Sequence, residues 1–174
     1  MPSGETHSKA TLALAVTLTA AAPLYLPHLG PESLALGPGC LVGLLIHPDH
    51  DVPHGNISWR LLRHYFGVLP AAFWTLVWKP YALSVRHRSL ISHSPVAGTL
   101  SRLLYLTLML TVIFFPALTA LAWSGHGPEL VRLLGIALAW PGTWWAVTGL
   151  TLADALHVAM DHGWSRLRPA RARR

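Results

Sequence analysis

Most of the eleven histidines in this 174-residue chain, and all four of its aspartates, fall in four short stretches. They are Thr6-His7-Ser8, then His47-Pro48-Asp49-His50-Asp51, then the segment Arg86 to Pro95 with His87 and His93, and finally Asp154, His157, Asp161 and His162. Imidazole nitrogens and carboxylate oxygens together suit zinc, manganese or iron, whereas a thiolate-seeking metal meets only the lone Cys40. Six or seven such groups exceed the four ligands of a closed structural zinc site. They predict one or two divalent ions, zinc first among them. His157 and Asp161 are four residues apart, on one face of a helix, and Asp154 shares that face two turns from Asp161. Pro48 stops a helix, so Asp49 and Asp51 are expected in an extended stretch, pointing the same way. Ser94-Pro95 reads as an N-cap followed by proline at the first helical position, with His93 just outside the helix and His87 in the turn before it.

Other polar residues have plainer readings. Arg86 and Arg88 flank His87 and suit bidentate contacts with a phosphate or a lipid headgroup. Ser89, Ser92 and Ser94 lack the surroundings of a nucleophile elbow and are expected as caps and hydrogen-bond donors. Asp154, His50, His54, His64 and His162 are expected beside the ligands or in solvent, and His28 and His126 in loops on the opposite side.

The elements that must carry these residues are apolar. The chain is 52% hydrophobic and 11% charged, with mean hydropathy +0.43, against about 25% charged in an ordinary soluble domain. The expected fold is all-α, a single integral-membrane domain over 1–174 with about four transmembrane helices. Spans are expected at 10–27, 34–46, 103–123 and 133–152. The last two runs carry no charge and are long enough for a hydrocarbon core of about 30 Å. The 34–46 run is short for a span, and Gly39 and Gly43 would let it pack closely on a neighbour. Residues 56–88 mix Arg60, Arg63, Lys79 and Arg86 with Trp59, Trp74, Trp78 and Tyr81, as an interfacial helical segment does. A basic tail, 165–174, ends the chain. The N-terminal run lacks the basic start and the cleavage site of a secretory signal and reads as a retained helix.

An up-down-up-down path through those spans returns all four polar stretches to one side. Of the 13 Lys and Arg residues, 12 lie on that side and only Arg132 on the other. The positive-inside rule makes it the cytoplasmic face of the inner membrane. These charges account for the basic pI, about 10.3, and nucleic acid is not an expected partner. Transport would need ionisable groups at mid-membrane, which the two uncharged runs lack.

Taken together, SGETHSKATL, PDHD and KPYALSVRHRSLISHSPVAGTLSRLLYL resemble a family of small bacterial proteins described as metal-binding membrane proteins. That family is similar to the membrane-bound metal-dependent hydrolases and, more distantly, to zinc-dependent phospholipase C. The likeness runs from residue 3 to about 162. Carried over by position, it implies His7, Asp49, Asp51, His87, His93, His157 and Asp161 as metal residues. Two positions depart from the family pattern. Ser8 stands where an acidic residue often follows the Thr-His pair, and His50 replaces an apolar residue between the aspartates as a competing ligand. The expected function is metal-dependent hydrolysis of a phosphoester or another membrane-adjacent substrate, a lipid or a small molecule. Asp49 and Asp161 are the expected catalytic carboxylates, and the lipid bilayer is the expected partner. The alternative is a non-catalytic metal-binding membrane protein.

Overall fold

The computed structural model describes residues 4–51, 56–87 and 89–167, with side chains as far as Trp164. Arg88, His54 and the side chains of the 165–174 tail lie outside the described residues. Among the described residues every regular element is helical.

Helix α1 is Gly4–Tyr25. Pro27 and Pro31 each open a 3₁₀ turn, since proline suits the first position of a helix. Helix α2, Leu36–Val42, follows, and Pro48–Asp51 forms another 3₁₀ turn. Asn56 caps α3, Ile57–Phe66, its side-chain oxygen accepting from the Trp59 N–H at 3.0 Å. Gly67, at φ +91°, makes the corner into α4, Val68–Ser84. Helix α5 is the single turn Leu90–His93, and α6 runs Pro95–Leu121. A π turn, Ala122–His126, leads to α7, Gly127–Ala139, and α8 closes the fold as Pro141–Leu167.

Packing centres on α2, which lies between α1 and α8. A Cβ on Gly39 would stand 2.1 Å from the Ala146 carbonyl oxygen, and one on Gly149 would stand 2.0 Å from that of Leu36. Any side chain at either place would push the backbones apart. Cys40, Ala15 and Ala153 fill this contact. A second cluster joins Val77, Trp78 and Tyr81 of α4 to Ile46 and Leu150, with Tyr105 of α6 against it. Fully burying side chains such as Val77 and Leu150 stabilises by about 1.5–3 kcal/mol each.

The expected spans take different forms. Residues 10–27 fall mostly in α1, and 103–121 continue through Pro116 as the body of α6. The 34–46 stretch contains a helix of only seven residues. The 133–152 stretch is broken at Trp140, whose ψ is 122°, because the proline that follows disfavours a helical conformation there. Within the expected interfacial segment, the described residues 56–87 form two helices and a turn. One described run, Pro95–Ala139, is long and apolar enough to cross a membrane, with mean hydropathy 2.1 over its best window and none of that window buried.

Candidate metal centre

Four elements bring the polar stretches together. His7 comes from the first turns of α1, Asp49 and Asp51 from the Pro48–Asp51 turn, His93 from the end of α5, and His157 and Asp161 from α8. His87 lies in the turn between α4 and α5. Asp49 and Asp51 sit in a 3₁₀ turn and not in the expected extended stretch. With three residues per turn, side chains two apart diverge, so the two carboxylates reach different edges of the His93 ring. Ser94 is the N-cap of α6 with Pro95 at its first position, as expected, although its side chain makes no cap bond; Ser89 caps α5, its hydroxyl accepting the Ser92 N–H at 3.3 Å.

All seven residues named by the sequence stand in three joined triads. These are His7, His157 and Asp161; Asp49, His93 and His157; and Asp51, His87 and His93. Within each, one potential ligand atom per residue lies within 4.8 Å of the others. Asp49 Oδ1 is 3.5 Å from His157 Nε2 and 3.9 Å from His93 Nε2. Both contacts are longer than an ordinary N–H···O bond, and both nitrogens are buried without a well-formed hydrogen bond. Two ligands held at about 2.1 Å by one ion stand roughly 3–4 Å apart. A divalent cation therefore fits among these three atoms and would satisfy both bare nitrogens.

The other triads flank this one. Asp51 Oδ1 is 2.8 Å from His87 Nδ1, and its Oδ2 is 3.6 Å from His93 Nδ1. Ser92 Oγ lies 2.9 Å from the same His93 nitrogen. With its proton on Nδ1, His93 donates to the Ser92 hydroxyl and keeps the Nε2 lone pair facing Asp49. Such a partner on the far nitrogen fixes the tautomer of a metal-binding histidine. On the opposite flank, His7 Nε2 is 3.2 Å from Asp161 Oδ1, and the His7 ring stacks on His157 with centroids 4.0 Å apart.

The site is charged as a cation requires. Burial alone would raise the Asp49 carboxyl, but the imidazoles of His157, His47 and His93 outweigh it and hold Asp49 well below the usual carboxylate range. Burial, reinforced by the His157 imidazole, lowers His7 and His93 against the pull of the nearby aspartates. Both rings are thus neutral near pH 7, the form that binds metal. The side chains of Asp49 (34% exposed) and His87 (42%) face solvent, whereas those of His7, His93, His157 and Asp161 are at most 9% exposed. The centre opens on one side.

His50 is not a competing ligand. Its Nε2 donates to the Leu45 carbonyl at 2.5 Å, its Nδ1 accepts from the Asn56 amide at 3.4 Å, and its ring stacks between Trp78 and His47. Burial holds it neutral, down to about 4. Asp154 turns away from the centre to pair with Arg102 and to accept from the Thr99 hydroxyl. His162 and His64 are exposed, the former donating to the Val158 carbonyl. Arg86 is exposed and belongs to none of the triads. Arg102 is the residue that the sequence pattern does not single out, since there it is only one of the twelve cations on the ligand-bearing side. The signal available was a lone cation at the mouth of an uncharged run, which needs a partner.

The sequence model of a family described as uncharacterized metal-binding protein (DUF2227) matches residues 2–171. The chain belongs to this family. Membership agrees with the joined His/Asp triads and specifies no particular metal. It carries no link between DUF2227 and the membrane-bound hydrolases or phospholipase C that the motifs resemble. No curated protein and no solved structure matches the chain.

Proposed function

We propose that this protein is a membrane-attached, metal-dependent hydrolase with its centre facing the cytoplasm. The observation that carries the reading is the pair of bare, buried Nε2 atoms of His93 and His157 beside a half-exposed Asp49. A structural site is closed by its own ligands, while a catalytic one keeps a position open. In this reading Asp49, His93 and His157 hold one ion, and His7 with Asp161 serves a second or receives a proton. Asp51 holds His87 and orients His93. When bound, a divalent ion polarises a substrate oxygen and makes water acidic enough to react near neutral pH. Asp49 stays ionised on the open side, where substrate would enter. Asp161, paired with His7, is the carboxylate left to accept a proton. A phosphoester is the favoured substrate, since the adjoining triads, if each held a cation, would stabilise both the attacking water oxygen and the leaving oxygen of a displacement at phosphorus. Zinc is the favoured metal on the N/O ligand set, with manganese and iron next.

Support for membrane attachment lies in an inverted distribution of polarity. Among the described residues, thirteen polar or charged side chains are buried against eleven apolar ones, while large apolar residues crowd the surface of α6 and α7. The exposed apolar run Pro95–Ala139 begins two residues after His93. A bilayer around the middle of that run would leave the centre close to the headgroups, on the side richer in Lys and Arg.

Elemental analysis of the purified protein, followed by a phosphoesterase and esterase panel with and without chelator, tests the proposal. We expect one or two divalent ions per chain and a hydrolysis lost on chelation and restored by metal. Bound metal with no hydrolysis across the panel would move the protein to the non-catalytic alternative. Absence of metal would sink both.

A further inference from the structure

Arg102 is fully buried, at 0% exposure, and its partner Asp154 is at 1%. A guanidinium with no route to solvent needs partners inside the protein, and Arg102 finds them at both terminal nitrogens while its Nε is left without a hydrogen bond. One of its terminal nitrogens pairs with Asp154 Oδ2, the same oxygen that accepts from Thr99 Oγ1. The other, Nη1, donates to the Ser92 carbonyl at 2.7 Å. Room for that approach comes from Gly98, where a Cβ would stand 2.9 Å from the carbonyl oxygen and 3.2 Å from Nη1.

Both ends of the pair lead to the metal centre. Ser92 precedes His93 and holds its Nδ1 through the hydroxyl at 2.9 Å. Asp154 precedes His157 by one helical turn on α8. His93 and His157 are the two rings whose bare Nε2 atoms flank Asp49. An apolar pair would pack α6 on α8 without desolvating two charges. A rigid guanidinium fork between a carboxylate and a carbonyl adds fixed direction.

We infer that Arg102 and Asp154 are positioning residues for the metal centre: by tying the Ser92 carbonyl to α8 they set the separation and orientation of the His93 and His157 rings. The inference rests on the proposal that these two histidines are ligands.

The test is a Co(II) titration, with affinity and the visible d–d spectrum as readouts and circular dichroism to check folding. It compares wild type, His93→Ala, Arg102→Lys and the double variant Arg102→Met/Asp154→Leu. The double variant removes both charges together and should keep the helical spectrum. We expect it to bind Co(II) about 10–100-fold more weakly, with shifted d–d bands. Arg102→Lys should fold and lose affinity in the same direction, because an ammonium lacks the fork that serves both partners. Wild-type affinity and spectrum in both folded variants would overturn the inference while leaving the ligand proposal standing. Loss of fold in both would assign the pair to stability alone and also overturn it. Undiminished binding by His93→Ala would instead remove the ligand assignment, and the positioning role with it.

Discussion

His93 joins two triads because its ring nitrogens face different neighbours, Nε2 toward Asp49 and Nδ1 toward Asp51 and Ser92. Replacing it takes a ligand from two triads at once, so His93→Ala should lower metal retention by more than about 100-fold, beyond the usual effect of disturbing a ligand's supporting partner. Asp49→Asn keeps size and shape but loses the charge between the two imidazoles and should fall nearly as far. His50→Ala should retain metal and cost about 2–5 kcal/mol of stability, because it leaves a hole between Trp78 and His47. His126→Ala is the control, since this ring bonds the exposed Ser124 hydroxyl and belongs to none of the triads. Metal-to-protein ratios after dialysis, with thermal melts, separate these outcomes, and metal loss in His50→Ala would contradict the assignment. At this scale the sequence is informative where function demands a residue type: in a chain so poor in charge, paired imidazoles and carboxylates stand out. It is silent where the partner is remote. Asp154 shares a helical face with His157 in the sequence pattern, but its direction is decided by Arg102, 52 positions away. His50 sits between two aspartates like a ligand, and only the stacking of Trp78 and the Leu45 carbonyl reveal otherwise.

Elements hold the centre through one unusually close contact, α2 against α8. Gly39 and Gly149 let backbone meet backbone, and α8 carries His157 and Asp161 toward the turn that follows α2. Gly39→Val should therefore destabilise the fold by about 1–3 kcal/mol or more, lowering the melting temperature by roughly 2–4 °C per kcal/mol for a chain of this size. Gly135→Ala, where a Cβ meets open space, should leave the melt unchanged or slightly raised, alanine being the better helix former. Equal melts for Gly39→Val and wild type would mean that the contact is looser than described. The small-residue spacing at Gly39 and Gly43 pointed to this packing in advance, although hydropathy alone made the stretch look like a short span. Hydropathy also ran through Trp140 without a break, because it does not register that a residue before proline avoids the helical conformation. The helix before Pro48 stops earlier than the proline requires, at Val42, and a 3₁₀ turn begins at Pro48 where the sequence predicts an extended stretch.

The whole molecule divides its polarity between a polar, ligand-bearing end and an apolar arm. Between Leu103 and Ala139 the only Asp, Glu, Lys or Arg side chains are Glu129 and Arg132, which pair with each other at 2.6 Å. The Leu103–Leu121 segment of α6 would extend about 28 Å, close to a hydrocarbon thickness of about 30 Å. Trp123, 94% exposed just beyond it, suits the far interface. If the arm is the membrane anchor, charge on one face of it should release the protein. Leu108, Val112 and Phe115 are exposed at i, i+4 and i+7. A lysine in mid-bilayer costs about 2.5–3.5 kcal/mol, so the triple change to lysine should cost roughly 7–10 kcal/mol and move the protein from the vesicle pellet to the supernatant. None of the three belongs to a ligand triad, so its metal-to-protein ratio should stay at the wild-type value. Asp49→Asn should give the converse pattern, pelleting with vesicles but without metal. A triple variant that still sediments with vesicles would show that α6 is not what holds the protein to the bilayer. Loss of metal in that variant would show that the arm and the centre are not separable, and that anchoring helps to build the site.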